Sequence, residues 1–218
     1  MQETTETSSE IPYRAELLRK SLHLLALVIP ASMLYLGKTT SLLILVPFCG
    51  LAIFTEAARV RFQTVADIVE MIFGRMMRNH ERPKIGDAVV INGATWVLLT
   101  ATLLVVIFPV DVAAISMIMF MIGDAAAALV GRRFGKIRWL NSTKTVEGSL
   151  SFFIVAAGIL MLFDLLPLPY SMGIAAFATL LELLPLRLND NLYVPLLTAG
   201  MMYCLMRFLL LQDVTLFF

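Results

Sequence analysis

The sequence predicts an all-α integral membrane protein with about seven transmembrane helices, one amphipathic helix on the inner surface, and a cytoplasmic N-terminus. Three observations carry that prediction. The 218-residue chain is 59% apolar and only 15% charged, with a mean hydropathy of +0.86; soluble domains lie near about 45–50% and about 25%. Apolar stretches approaching the roughly 20 residues that cross a bilayer recur at 17–36, 39–55, 88–109, 112–130, 149–166, 170–186 and 192–212. The basic residues are also partitioned between alternate connections. This balance excludes an ordinary soluble domain, a disordered chain and a nucleic-acid binder. The net charge of +1 names no partner. Cys49 and Cys204 sit in apolar runs and suggest neither a disulfide framework nor a zinc site.

Residues 1–13, rich in Thr, Ser and Glu, are expected to form a disordered tail, and 14–218 a single transmembrane domain. The span opening at Leu17 is long and lacks a small-residue cleavage site, so it is expected to be retained. The second and sixth spans are short, which suits tilted or partly re-entrant helices. Arg14, Arg19 and Lys20 stand at the start of the first span. Arg59, Arg61, Arg75, Arg78, Arg82 and Lys84 fall between spans two and three. Arg132, Arg133, Lys136, Arg138 and Lys144 follow span four, and Arg187 follows span six. Of 17 lysines and arginines, only Lys38 and Arg207 fall elsewhere. Cytoplasmic loops carry such an excess, which places the N-terminus inside and makes the chain multi-pass. Within 57–80, Val65, Ile68, Val69, Ile72, Phe73 and Met76 repeat at helical spacing opposite Asp67, Glu70, Arg75 and Arg78. That pattern fits an amphipathic helix on the inner membrane surface, or one packed on the bundle.

Ionisable residues within spans are costly and mark functional interiors, so the depth at which they collect is informative. Glu16, Lys20 and His23 follow i, i+4, i+7, with Arg19 beside them. Asp87 and Asn92 open the third span, and Asp124 lies near the inner end of the fourth. Thr145 and Glu147 precede the fifth, Glu182 ends the sixth, and Asp190 with Asn191 opens the seventh. All fall in the cytoplasmic half, as expected for a site open to the cytosol and inner leaflet. A transporter would carry polar groups along the whole path.

The densest chemistry runs from Ile122 to Ser149. Asp124 is followed by the small residues Ala125 to Ala128, which allow close helix approach. Gly131 and Gly135 bracket Arg132 and Arg133, and Lys136 follows. Gly123 precedes Asp124, and Lys144, Thr145, Glu147 and Gly148 stand at the mouth of the fifth span. Carboxylates, basic groups and glycine turns at one mouth suit a nucleotide polyphosphate carried with Mg²⁺, which takes one or two carboxylates plus phosphate oxygens. The competing roles are positive-inside anchoring for the cations, a buried ion pair for Asp124, and a satisfied helix residue for His23. No GxxxxGK[ST] loop or protein-kinase signature is present.

The segments Gly123–Lys136 and Lys144–Ser149, GDAAAALVGRRFGK and KTVEGS, resemble the CTP-dependent lipid kinase family: dolichol kinase, phytol kinase and the yeast-type diacylglycerol kinase. ELLRKSLH at Glu16–His23 is similar to that family's opening element. Arg78–Glu81 with Gly93–Trp96 is similar to its central block, and Glu182–Leu196 to its closing one. The resemblance implies a catalytic domain that moves the CTP γ-phosphate to a lipid alcohol, with CTP, the lipid alcohol and membrane lipids as partners. It further implies that Asp124 binds Mg²⁺ with Glu147 or Asp190. Arg132, Arg133, Lys136 and Lys144, with Thr145 and Gly148, would hold the triphosphate. Glu182, Asp190 and Asn191 would complete the site, alongside Gly123, Gly131 and Gly135. Arg19, Lys20 and His23 would meet phosphates or the acceptor hydroxyl, and Asp124, Asp190 and His23 all remain candidates for the base. Asn189 stands where many relatives have an acidic residue, which weakens the case for a second metal ligand there.

Phosphatidate cytidylyltransferases share a KT-x-EG element with Lys144–Gly148, but their downstream signature is absent, and NDNLYVP stands in its place. A transporter or membrane assembly subunit is the non-enzymatic alternative.

Overall fold

A chain in hydrocarbon must satisfy its backbone hydrogen bonds internally, so apolar runs become helices and connections fall where capping residues, glycine or proline stop the ladder. The computed structural model describes residues 13–77, 81–139, 144–184, 186 and 188–209. Among these, the elements are α1 (Tyr13–Leu25), α2 (Val28–Arg59), α3 (Gln63–Phe73), α4 (Gly93–Ile107), α5 (Val110–Phe134), α6 (Val146–Phe163), α7 (Leu168–Leu183) and α8 (Asp190–Cys204). A single π turn, Leu205–Leu209, continues α8. Most of the expected polar tail, Arg78, Arg187 and the end of the expected seventh span lie outside the described residues.

Among the described residues the fold is all-helical, and the protein is a membrane protein. Among the described residues, Glu16–Arg59, Val110–Phe134 and Val146–Phe163 are long and apolar enough to cross a membrane, whereas Gly93–Ile107 and Leu168–Leu183 are apolar but shorter. Large apolar side chains such as Leu43, Phe48, Phe54, Ile154 and Leu162 face outward. A water-soluble surface avoids such extended apolar cover.

The first of those runs is two limbs. Pro30 has no amide to give to Ala26, so Ile29 bonds to the Ala26 carbonyl instead, at 2.9 Å, and α1 bends into α2. At Gly37 the backbone takes φ 73°, ψ 178°, a region essentially restricted to glycine. The contacts on either side show a reversal. Lys20 pairs with Asp124, deep in the second half of α5. Lys38 donates to the Phe108 carbonyl at the other end of the bundle, at 3.2 Å, and Glu56 then meets the start of α4. The chain therefore goes up through Leu36 and back down from Lys38 on a one-residue connection.

The remaining helices alternate in the same way around α5. That helix buries Val112–Met117, Met119–Met121, Gly123 and Ala125, and packs on α6, α2, α8, α4 and α1. Its closest neighbour is α6, because glycines meet there. A Cβ on Gly148 would stand 2.8 Å from the Ala127 carbonyl and 3.3 Å from Gly131 Cα. N-caps start three of the helices: Asn92 accepts from the Thr95 amide, Thr145 from Gly148 and Asn189 from Asn191. The helix α3 occupies 63–73, shorter than its apolar periodicity. Val69 is buried on the bundle, while Ile68, Met71 and Ile72 stay exposed, so only one flank of the apolar arc is covered.

Gly37→Ala should cost about 1–3 kcal/mol, because its Cβ forces a disfavoured backbone region although the space is open. Thermal unfolding in detergent measures it; an unchanged Tm would mean that the turn does not need glycine.

Candidate active site

The site begins where α1 crosses the second half of α5. Lys20 and His23 lie one turn apart on α1, and both reach the Asp124 carboxylate. Lys20 Nζ pairs with Oδ2, and His23 Nε2 is 3.7 Å from the same oxygen. One turn earlier, Glu16 accepts from Arg19 at 2.7 Å and faces Arg132 of α5 at 3.7 Å. Antiparallel helices produce this register: a step back along α1 is a step forward along α5. Glu16 and Lys20 are each only 4% exposed, so these charges are offset by one another rather than by water. His23 stacks edge-on against Phe120, with centroids 6.2 Å apart, and its Nε2 is buried without a hydrogen-bond partner.

From the opposite side, α8 brings Asp190 and Asn191. Asn189 does not extend toward the site. Its Oδ1 caps α8, accepting from the Asn191 amide at 3.0 Å and from Asn191 Nδ2 at 2.7 Å. Asn191 Oδ1 is left buried and without a partner. Glu182 ends α7 beside them, bound to Lys144 Nζ at 2.7 Å through Oε1, while its Oε2 is buried and has no hydrogen-bond partner.

Several of these groups converge on a cavity of about 310 Å³, while Glu16, Lys144 and Glu182 stand outside its lining. Arg19, Lys20, His23, Asp124, Asp190 and Asn191 line its polar end, together with Glu81, Asn92 and Gly93. The other walls are apolar, from α1, α4 and the segment around Phe73–Met77. Asn92 was expected at this end of the bundle from its depth alone, and Glu81 was not among the candidate site residues read from the sequence. The signal for Glu81 was the Arg78–Glu81 and Gly93–Trp96 segments, which the fold brings together at Glu81 and Gly93.

The other sequence candidates are placed differently. Arg132, Arg133 and Lys136 are exposed beyond the cavity lining, and Arg133 lies over the Phe134 ring at 5.6 Å. The glycines expected in phosphate-cradling turns serve contact between helices. Gly131 lies inside α5, where a Cβ would stand 2.8 Å from Thr145 Oγ1, and Gly123 faces the Phe152 ring. Gly135 closes α5, with its amide on the Gly131 carbonyl. Glu147 is outside the cavity lining; its carboxylate accepts from the Lys136 amide at 2.9 Å and the Ile137 amide at 3.4 Å. With the pairing of 137–139 to 144–146, it closes the loop between α5 and α6. Among the described residues, no three His, Cys, Asp or Glu side chains gather as a ready metal cluster.

A second buried charge network supports the cavity from below. Glu56 pairs with Arg59 at 2.6 Å and accepts from the Asn92 amide and the Thr95 hydroxyl, at 3.1 and 2.9 Å. Arg59 in turn donates to the Val90 carbonyl at 2.7 Å. This ties the foot of α2 to the start of α4, and so fixes Asn92 and Gly93 at the cavity wall.

Among known proteins, the chain is similar to an uncharacterized protein of Rickettsia prowazekii, 27% identical over 194 residues, covering 86% of this chain and 90% of that one. It is 35% identical over 97 residues to the dolichol kinase of Saccharomyces cerevisiae, covering 38% of this chain and 17% of the kinase. It is 33% identical over 105 residues to a probable chloroplastic phytol kinase of Glycine max, covering 41% of this chain and 35% of that protein. The two kinases are thus matched over a minor part of their own length. No family model matches, and no solved structure matches.

Gly148→Ala should push α5 and α6 apart and lower Tm, because the new Cβ meets a carbonyl rather than a flexible side chain. Asp190→Asn, which keeps the shape of the side chain and an oxygen for the Asn191 amide, should leave Tm within about 1–2 °C. Paired melting curves test the contrast; equal losses would place Asp190 in the fold's support.

Proposed function

We propose that the protein is a CTP-dependent lipid-alcohol kinase, a multi-pass membrane enzyme of seven spans whose site opens to the cytoplasm. The observation that carries this reading is a cavity that joins a polar end of carboxylates and cations to an apolar wall. Such a cavity suits a reaction between a charged nucleotide and a lipid hydroxyl. The partial similarity to dolichol and phytol kinases supports the same class. The cytoplasmic orientation is supported by the basic residues at the cavity's end of the bundle.

Asp124, Asp190 and Asn191 fit a magnesium ion: two carboxylates and a buried amide oxygen lacking a partner line the cavity, the oxygen donors that Mg²⁺ takes beside phosphate. Bound there, the ion would neutralise charge on the transferring phosphate and the leaving diphosphate. Lys20 exchanges its contact with Asp124 for a phosphate oxygen, and Arg19 supplies a second cation on the same face of α1. The exposed Arg132, Arg133 and Lys136 draw the triphosphate toward the mouth. Lys144 turns from Glu182 to the nucleotide, which leaves Glu182 as a carboxylate partner for it when the site is empty. His23 Nε2, buried and without a hydrogen-bond partner, receives the proton of the acceptor hydroxyl. The hydroxyl oxygen bonds the γ-phosphorus, the bond to the β-phosphate oxygen breaks, and CDP leaves. Positioning and charge neutralisation supply most of such catalysis.

Purified protein with Mg²⁺, a panel of lipid alcohols, phosphatidic acid and CTP labelled at the α- or γ-phosphate tests the reading. Transfer of γ-label alone to an alcohol is expected. Transfer of α-label to phosphatidic acid would replace the kinase by a cytidylyltransferase, the reading that Lys144–Gly148 also suits. Labelling with neither would bring forward the transporter or assembly role. Asp124→Asn should abolish transfer while the protein remains folded and extractable. His23→Gln should lower kcat by about 10²–10⁴-fold with little change in the KM for CTP; full activity would assign the proton to another group.

A further inference from the structure

The apolar wall of the cavity has a geometry of its own. Leu22, Ala26 and Ile29 stand at i, i+4 and i+7 along α1 and the start of α2, and so form one stripe. Across from them, Ala94, Val97 and Leu98 of α4 form a second stripe, and both line the same cavity. Yet α1 packs chiefly on α5, and it makes little contact with α4. Along α1 the two stripes therefore border a slot rather than a sealed helix interface, and Ile29, in α2, stands at its far end, where α2 packs on α4. The slot starts at the level of Lys20 and His23 and reaches Ile29, about nine residues or roughly 13 Å along the helix.

We propose that this slot seats the hydrocarbon chain of the acceptor, entering sideways from the bilayer between α1 and α4, and that it admits one chain only. The inference rests on the kinase reading and names the substrate class: a single-chain alcohol, as against a two-chain diacylglycerol. The hydroxyl must reach the depth of His23 and Asp124 while its tail stays in apolar surroundings. The slot is continuous with the polar end of the cavity and supplies that path. Its walls near the polar end are small, with Ala26 on one side and Gly93 and Ala94 on the other. One stripe from each of two helices gives room for one chain between them. A second acyl chain would have to lie outside the slot. Ala26 and Val97 are thereby specificity-determining residues that touch no reacting group.

The test combines kinetics and crosslinking, with the full-length protein in nanodiscs. Ala26→Trp and Val97→Trp are expected to raise the KM for a long single-chain alcohol at least tenfold, with the KM for CTP and turnover of a five-carbon alcohol unchanged. Wild-type protein should prefer the single-chain alcohol to diacylglycerol by a similar factor. An unchanged long-chain KM, or equal use of diacylglycerol, would overturn the slot while leaving the kinase reading intact. A diazirine-bearing long-chain alcohol, photolysed with wild-type protein and mapped by mass spectrometry, gives a readout that needs neither turnover nor a folded variant. Adducts on α1 and α4 are expected, and adducts confined to α6 and α7 would overturn the proposal. Adducts on α1 and α4 without phosphate transfer to any alcohol would retain the slot and remove the kinase.

Discussion

The contact between Lys20 and Asp124 is the constraint on which the rest of the arrangement depends. A carboxylate ten residues inside the central helix of an apolar bundle is expensive unless a cation meets it. Among the described residues α1 supplies that cation, which sets α1 across the second half of α5, and the register set by Lys20 also delivers His23 to Asp124 and Glu16 to Arg132. The ion pair thus positions a helix that packs on little else. It also leaves the space between α1 and α4 to be bounded by side chains rather than filled by them.

A second constraint is the crossing of α5 and α6. Gly131 and Gly148 bring the two backbones together, with Thr145 wedged against Gly131 and Gly135. That close approach holds the start of α6 against the end of α5, and Glu147 then ties the loop by accepting from the Lys136 and Ile137 amides. Residues that look like ligands by type are here the means by which two helix ends are kept in place. The exposed cations between them gain a fixed platform.

Much of this was legible in the sequence. Apolar length and alternating basic connections gave the helical membrane class. The i, i+4, i+7 spacing of Glu16, Lys20 and His23 gave a polar face, and the depth of Asp124 marked the end of the bundle where polar groups meet. Neighbourhood was not legible. Periodicity says which face of a helix is polar but not which helix it meets, so Arg59 read as one more inner-side cation rather than the buried partner of Glu56. Glu81 was hidden for the same reason, since its proximity to Gly93 depends on the fold. The glycines were ambiguous by nature: absence of a side chain suits a turn and a close crossing equally, and only the neighbouring backbone separates them.

The one-residue reversal at Gly37 bears on how the protein is put into its membrane. Both feet of the pair carry basic residues, Arg19 and Lys20 on one side and Arg59 and Arg61 on the other, and such residues hold their flanks on the side of synthesis. No loop exists between the limbs that the insertion machinery could thread by itself. With each limb taken as a span, as proposed above, the first could not settle across the bilayer and wait for the second. In the proposed seven-span arrangement the two would enter together as a hairpin, with Gly37 leading, before α5 emerges to supply the carboxylate that α1 will meet.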